Sequence, residues 1–118
     1  LVLQPMAGAA SLRKWLIQNG WHIVAEDLVA DGRHLYEIMA VERGESEAFS
    51  DAVLEIGPSL IEAKHPLLAK QFARQINNYK KLLANMGKSE QAKASEKYIA
   101  WEKLVQELEA LADACNCK

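Results

Sequence analysis

Cysteine, proline and glycine are all scarce in this 118-residue sequence: two, three and six residues respectively. The two cysteines, Cys115 and Cys117, are separated by a single residue at the tail. One intervening residue is poor geometry for a structural disulfide, so a disulfide framework is excluded and a reducing, cytoplasmic compartment is expected. Cys115-Asn116-Cys117 also lacks the second ligand pair of a zinc site, and His22, His34 and His65 stand at no metal-ligand spacing. No metal site is therefore expected. No apolar run approaches the eighteen or so residues that span a bilayer, so no membrane helix is expected. A net charge of −2 rules out a uniformly basic protein. There is no Walker loop, no GxGxxG fingerprint and no nucleophile–base set, so the residues alone display no catalytic constellation. What remains is half apolar and a quarter charged, the composition of a globular domain with one modest core.

The chain opens on Leu1-Val2-Leu3-Gln4-Pro5, without an initiator Met. A continuously apolar run closed by proline reads as a strand buried on both faces, as in a parallel sheet. The neighbours of such a strand arrive through crossovers, and the expectation is that they lie upstream of Leu1. Leu12, Trp15 and Leu16 then follow helical spacing, with Arg13, Lys14 and Gln18 on the expected wet face and Asn19-Gly20 as the stop. Residues 21–29 read as a strand interrupted by the polar pair Glu26-Asp27. Asp31-Gly32 is a hairpin signal, and residues 35–42 form the returning strand. Glu37, inside that apolar strand, is either a buried carboxylate with a role or a wet-face residue of an edge strand. This order predicts the closing section of an α/β sheet with an antiparallel edge. Residues 44–52 read as a polar loop, 56–59 as a turn, and Ser59 as the cap of a short helical piece ending at Lys64.

Pro66 suits the first turn of a long helix in which Leu68, Phe72, Gln75, Tyr79, Leu82 and Met86 recur at spacings of four and three. After the break Gly87-Lys88-Ser89, whose serine suits an N-cap, a second helix carries Ala94, Tyr98, Trp101, Val105, Leu108, Ala112 and Cys115 in the same pattern. These seams predict an antiparallel, coiled-coil-type helical hairpin. Charge is divided unevenly along the chain. Residues 1–63 carry four basic and ten acidic side chains, and residues 64–103 carry nine basic and three acidic ones. Such a split fits a hairpin that meets a polyanion, although a solvated helical surface also reads this way.

The series Leu1-Val2-Leu3-Gln4-Pro5, Leu12-Arg13-Lys14-Trp15-Leu16 and Asn19-Gly20-Trp21 resembles the later half of bacterial tRNA adenine-N1 methyltransferases that act at position 22. Further matches follow in the same order: Glu26-Asp27-Leu28, Tyr36-Glu37-Ile38, Ile56-Gly57-Pro58, and the helix from Phe72 to Tyr79. The resemblance covers nearly the whole chain and is weakest after Gly87. It implies a class I, Rossmann-like methyltransferase, with residues 1–58 the C-terminal portion of its sheet domain and residues 59–118 its coiled-coil hairpin. It also implies that S-adenosylmethionine is the cofactor, held mainly by sequence upstream, with no cofactor-binding residue in this chain. The partner it implies is tRNA, contacted through Lys70, Arg74, Lys80, Lys81 and Lys88, with Gln4 and Pro5 beside the substrate. Where the family follows Gln-Pro with Asn, this sequence has Met6, and a thioether does not replace an amide as a hydrogen-bonding group.

Three hypotheses follow. The parent protein is an enzyme, and this chain supplies its sheet edge and tRNA-holding hairpin while being inactive alone. Alternatively, the chain is a non-catalytic RNA-binding module, or a coiled-coil interaction module. The unpaired first strand also predicts a homodimer or a strand swap through Leu1–Gln4.

Overall fold

The computed structural model describes residues 1–117. The chain divides into two compact units, Leu1–Leu68 and one beginning at Ala69. The first holds strand β1 (Val2–Leu3), helix α1 (Ala9–Gln18), strands β2 (Trp21–Asp31) and β3 (His34–Arg43), and the short helices α2 (Asp51–Ile56) and α3 (Pro58–Glu62). The second is helical, with α4 (Leu68–Met86), α5 (Glu90–Lys93) and α6 (Glu96–Ala114). Among the described residues, no helix is long and apolar enough to cross a membrane.

The sheet order is β1-β3-β2, and both pairings are antiparallel. The returning strand β3 therefore lies in the middle, not at the edge. The first strand departs from expectation too. It pairs antiparallel with β3, Val2 opposite Ala40, and Val2 is 68% exposed rather than buried on both faces. The hairpin between β2 and β3 turns where Asp31-Gly32 indicates, with Asp31 opposite His34 and Gly32 at φ +61°.

The core of this unit lies between α1 and one sheet face: Ala9, Leu16, Met39 and Val41, flanked by Leu3, Leu12, Trp21 and Ile23. Which β2 residues join that face is decided by a break in register between Ile23 and Ala25. A strand alternates faces with period two, and one extra residue inverts the alternation beyond it. Ile23 pairs with Val41 and then, past the break, Glu26 with Met39 and Leu28 with Glu37. The bulge at Val24 thus turns Glu26 inward and leaves Asp27 outside.

Helix α1 is rotated from its expected setting. Ala9, Arg13 and Leu16 are its buried residues, and Trp15 is 54% exposed. The stretch read as a polar loop ends in α2, whose N-cap Ser50 accepts a hydrogen bond from the Val53 amide and whose Leu54 and Ile56 are buried. Helix α3 starts at Pro58, at the first-turn position proline favours, so Ser59 is not its cap.

In the second unit, Val105, Leu108 and Ala112 are buried on α6, and Tyr98, Trp101 and Cys115 are half-buried beside them. Tyr79 on α4 meets Trp101 edge to face at 5.6 Å. Two seam positions differ from the periodicity: Leu82 is 42% exposed while Leu83 is half-buried, and Ala94 is exposed between two helices. The expected second helix is split because two serines each begin one. Ser89 caps α5 through the Ala92 amide, and Ser95 caps α6 through the Tyr98 amide.

Candidate functional site

Charged groups of the first unit converge on Arg13. Its Nε donates to Glu26 Oε2 at 2.8 Å and its Nη2 to Glu37 Oε1 at 2.5 Å. Its Nη1 donates to the carbonyl of Leu54 at 2.8 Å and lies 3.5 Å from that of Glu55. Those carbonyls belong to the last turn of α2, where a cation complements the unsatisfied oxygens of a helix end. Glu26 reaches further: its Oε1 accepts the Ser59 amide at 3.0 Å. It thereby caps α3, whose own N-cap residue, Gly57, has no side chain to do so. Four elements and a helix start are joined through one guanidinium and two carboxylates.

Burial pushes the Glu26 carboxyl above its ordinary value, against the opposing pull of Arg13 and the Ser59 amide. Both of its oxygens accept N–H donors, an arrangement made for the ionised form. The Arg13 side chain has no exposed surface and every guanidinium nitrogen is engaged. It cannot meet a ligand, and its work is to hold the elements in place. Glu37 is therefore a buried carboxylate, and Arg13, expected in water, is its partner. The weak signal in the sequence was the coincidence of one arginine on an apolar helix with two acids inside apolar strands.

Gln4 and Pro5 follow β1 directly and lead to α1. Gln4 is exposed and Pro5 half-buried, and Met6 is 85% exposed. Gly8, left-handed at φ +71°, ends this connection as the N-cap of α1.

Of the five basic residues singled out in the second unit, Lys70, Arg74 and Lys81 stand at i, i+4 and i+11 on α4. This is one helical stripe, completed by Asn77 at i+7. Lys70 and Lys81 are exposed, whereas Arg74 is half-buried and donates to Gln71 Oε1 at 2.6 Å. Lys80 falls off the stripe, with its Nζ 3.9 Å from Glu109 Oε2 on α6. Lys88 lies beyond the end of α4. Among the described residues, no three histidine, cysteine, aspartate or glutamate side chains come together to hold a metal.

Comparison with known proteins gives a consistent set of likenesses. A family model described as tRNA (adenine(22)-N(1))-methyltransferase matches residues 1–109. The tRNA (adenine(22)-N(1))-methyltransferase of Bacillus subtilis (strain 168) is 24% identical over 83 residues, covering 66% of this chain and 35% of that protein. A Streptococcus agalactiae protein of the NADB-Rossmann superfamily superposes with a TM-score of 0.73 at 28% identity, over 93% of this chain and 46% of its own. A Streptococcus pneumoniae protein provisionally identified as a tRNA (m1A22) methyltransferase does so at 0.73 and 26%, over 93% of this chain and 47% of its own. The same protein has been solved in complex with S-adenosyl-L-methionine, a structure similar at 0.66 and 24%, over 92% of this chain and 46% of its own. The chain spans about a third to a half of the length of these relatives.

Proposed function

The chain belongs to the tRNA (adenine(22)-N(1))-methyltransferase family, and from that premise we propose that it is the substrate-holding part of an enzyme that methylates N1 of an adenine in tRNA, using S-adenosylmethionine. The observation that carries this reading is the family match over residues 1–109, together with the likeness to Rossmann-superfamily structures over more than nine-tenths of the chain.

Within this reading, Leu1–Leu68 supplies the closing strands of the methyltransferase sheet, and the helices from Ala69 onward form a coiled-coil-type hairpin that holds tRNA. Gln4 and Pro5 sit beside the adenine. Lys70, Arg74 and Lys81 follow the phosphate backbone, positioning the RNA without reading its sequence. Lys80 and Lys88 add to the local positive field. Because N1 of adenine is masked by pairing in a duplex, the base must leave its stack before it reacts. Rate then comes mainly from alignment of N1 with the methyl donor.

The two connections from strand to helix, residues 4–8 and 44–50, carry one glycine each, Gly8 and Gly44. The reading assigns the cofactor to sequence that relatives carry beyond the matched region, and the enzyme to the cytoplasm, where tRNA is modified. It also assigns the open side of β1, where Leu1 and Val2 are 70% and 68% exposed, to a further strand, from the same protein or from a second copy.

The test is a methyl-transfer assay with the complete protein, S-adenosylmethionine and tRNA, followed by nucleoside mass analysis. N1-methyladenosine at position 22 is the expected product. Tight tRNA binding without any methylated product would replace the enzyme with a non-catalytic RNA-binding module.

A further inference from the structure

The chain passes from α3 to α4 through residues 63–67, and this turn is built in an unusual way. Lys64 adopts a left-handed conformation, φ +51°, at a position where helix ends favour glycine. The Lys64 amide donates to the Ile61 carbonyl at 3.1 Å and the His65 amide to the Leu60 carbonyl at 3.1 Å, the paired bonds of a Schellman ending. The His65 carbonyl then accepts the Leu68 amide at 3.0 Å, so the backbone of His65 closes one helix and opens the next.

Its side chain is fixed as firmly. The Leu67 amide donates to Nδ1 at 3.0 Å, and Nε2 lies 2.6 Å from Asp27 Oδ1 on β2. These partners determine the tautomer. A nitrogen that accepts an N–H carries a lone pair, so Nδ1 is bare, and the proton is on Nε2, donated to the carboxylate. The bond to Leu67 reproduces, with a ring nitrogen, the contact two residues ahead that asparagine and aspartate side chains make in turns. Asp27 is exposed, and its hydrogen bond with His65, then that from the Leu28 amide, hold its carboxyl below the ordinary value. Glu62 and Lys64, which flank the turn in sequence, are both exposed, and Glu26, beside Asp27 on β2, points to the opposite sheet face and is taken up by Arg13 and Ser59.

We propose that His65 is a proton-operated clasp on the turn that leads into α4. Gaining a proton at Nδ1 turns its acceptor into a donor aimed at another donor, the Leu67 N–H. That bond breaks, while Asp27 keeps its hold on Nε2 and retains the ring. The first turn of α4 is thereby released from the clasp in acid and secured in base. The change is local and reversible, and needs only one proton at Nδ1.

The experiment is nitrogen-15 NMR on the 118-residue chain from pH 8 to pH 5, reading the two ring nitrogens of His65 and the exchange protection of the Leu67 amide. At pH 8, a protonated Nε2 and a bare Nδ1 are expected. Leu67 protection should fall roughly three- to tenfold in step with His65 protonation, the worth of one ordinary hydrogen bond. In His65→Asn, whose side-chain oxygen takes the place of Nδ1 and does not titrate, protection should persist without the fall. A proton on Nδ1 at pH 8, or Leu67 protection that stays constant while His65 becomes fully protonated, overturns the proposal on the unaltered chain alone.

Discussion

At the scale of single residues, the consequences concentrate around Arg13. Taking away its guanidinium does more than delete hydrogen bonds. It leaves Glu26 and Glu37, diagonal neighbours on the paired strands β2 and β3, as uncompensated carboxylates in an interior that already raises the first of them. Breaking a buried pair from one side costs on the order of 3–5 kcal/mol. Arg13→Met should therefore lower the urea unfolding midpoint of the chain by that measure. Arg13→Lys should recover only part of it, because one ammonium cannot span both carboxylates and the end of α2. Gly57 is pressed by the same cluster. A Cβ there would lie 2.9 Å from Leu60 Cδ1, 3.0 Å from Glu26 Oε2 and 3.1 Å from Arg13 Nη2, on a backbone at φ +125°. Gly57→Ala is expected to cost about 1–3 kcal/mol for the backbone alone, with the crowding added, in the same urea measurement. Asp27 gives a dependence on acid. Its folded-state carboxyl titrates below the ordinary 3.8, so it stabilises the fold above the unfolded value, and that contribution disappears as pH falls through the folded one. Asp27→Asn should accordingly flatten the acid unfolding curve below about pH 4, followed by circular dichroism. Of these roles only that of Glu37 stood among the readings of the sequence, as one of two alternatives. A charged side chain on a helix is assigned to water by default, and only the three-dimensional meeting of one cation with two acids reverses that assignment.

Secondary-structure elements were easier to read than residues, for a physical reason. Periodicity is local, and the strand pair, the Asp31-Gly32 turn, and the two long helices all follow from local spacing. Two features did not, because they depend on pairing. The bulge between Ile23 and Ala25 is chosen by β3, which must receive Leu28 opposite Glu37, and it alone decides which acid of Glu26-Asp27 is buried. The setting of α1 accords with it, since Arg13 turns toward Glu26 and Glu37 on that face of the sheet. Helix starts were partly legible. Ser89 was recognisable as a cap, but Ser50 and Ser95, which accept the Val53 and Tyr98 amides at 3.3 and 3.2 Å, stood in stretches read as loop and as helix interior. The cap of α6 has a measurable worth. Ser95→Ala should cost about 1 kcal/mol and lower the thermal midpoint seen in the helical circular-dichroism signal. A midpoint that does not move would mean that α6 begins elsewhere in solution.

At the scale of the whole molecule, the division of charge is the property that sequence alone exposed, and the helix geometry sharpens it. The candidate set of five basic residues was a list of positions. Folded, it resolves into a stripe of Lys70, Arg74 and Lys81 and two residues apart from it, one of them, Lys80, facing Glu109. If phosphates follow the stripe, affinity for tRNA must fall steeply with salt, because each neutralised phosphate releases bound counterions. The double substitution Lys70→Glu with Lys81→Glu, both on exposed side chains, should weaken tRNA binding at low salt. It should also flatten the plot of log affinity against log salt by roughly 0.7–0.9 for each phosphate that is no longer neutralised. Lys80→Glu reverses the same charge next to Lys81 but starts from a residue already beside an acid, so its effect on the slope should be smaller. Measuring the slopes together separates a defined track from a diffuse field. Equal effects from Lys80 and Lys81 would mean that tRNA senses only net charge, and unchanged slopes in every variant would move the RNA to another face of the protein.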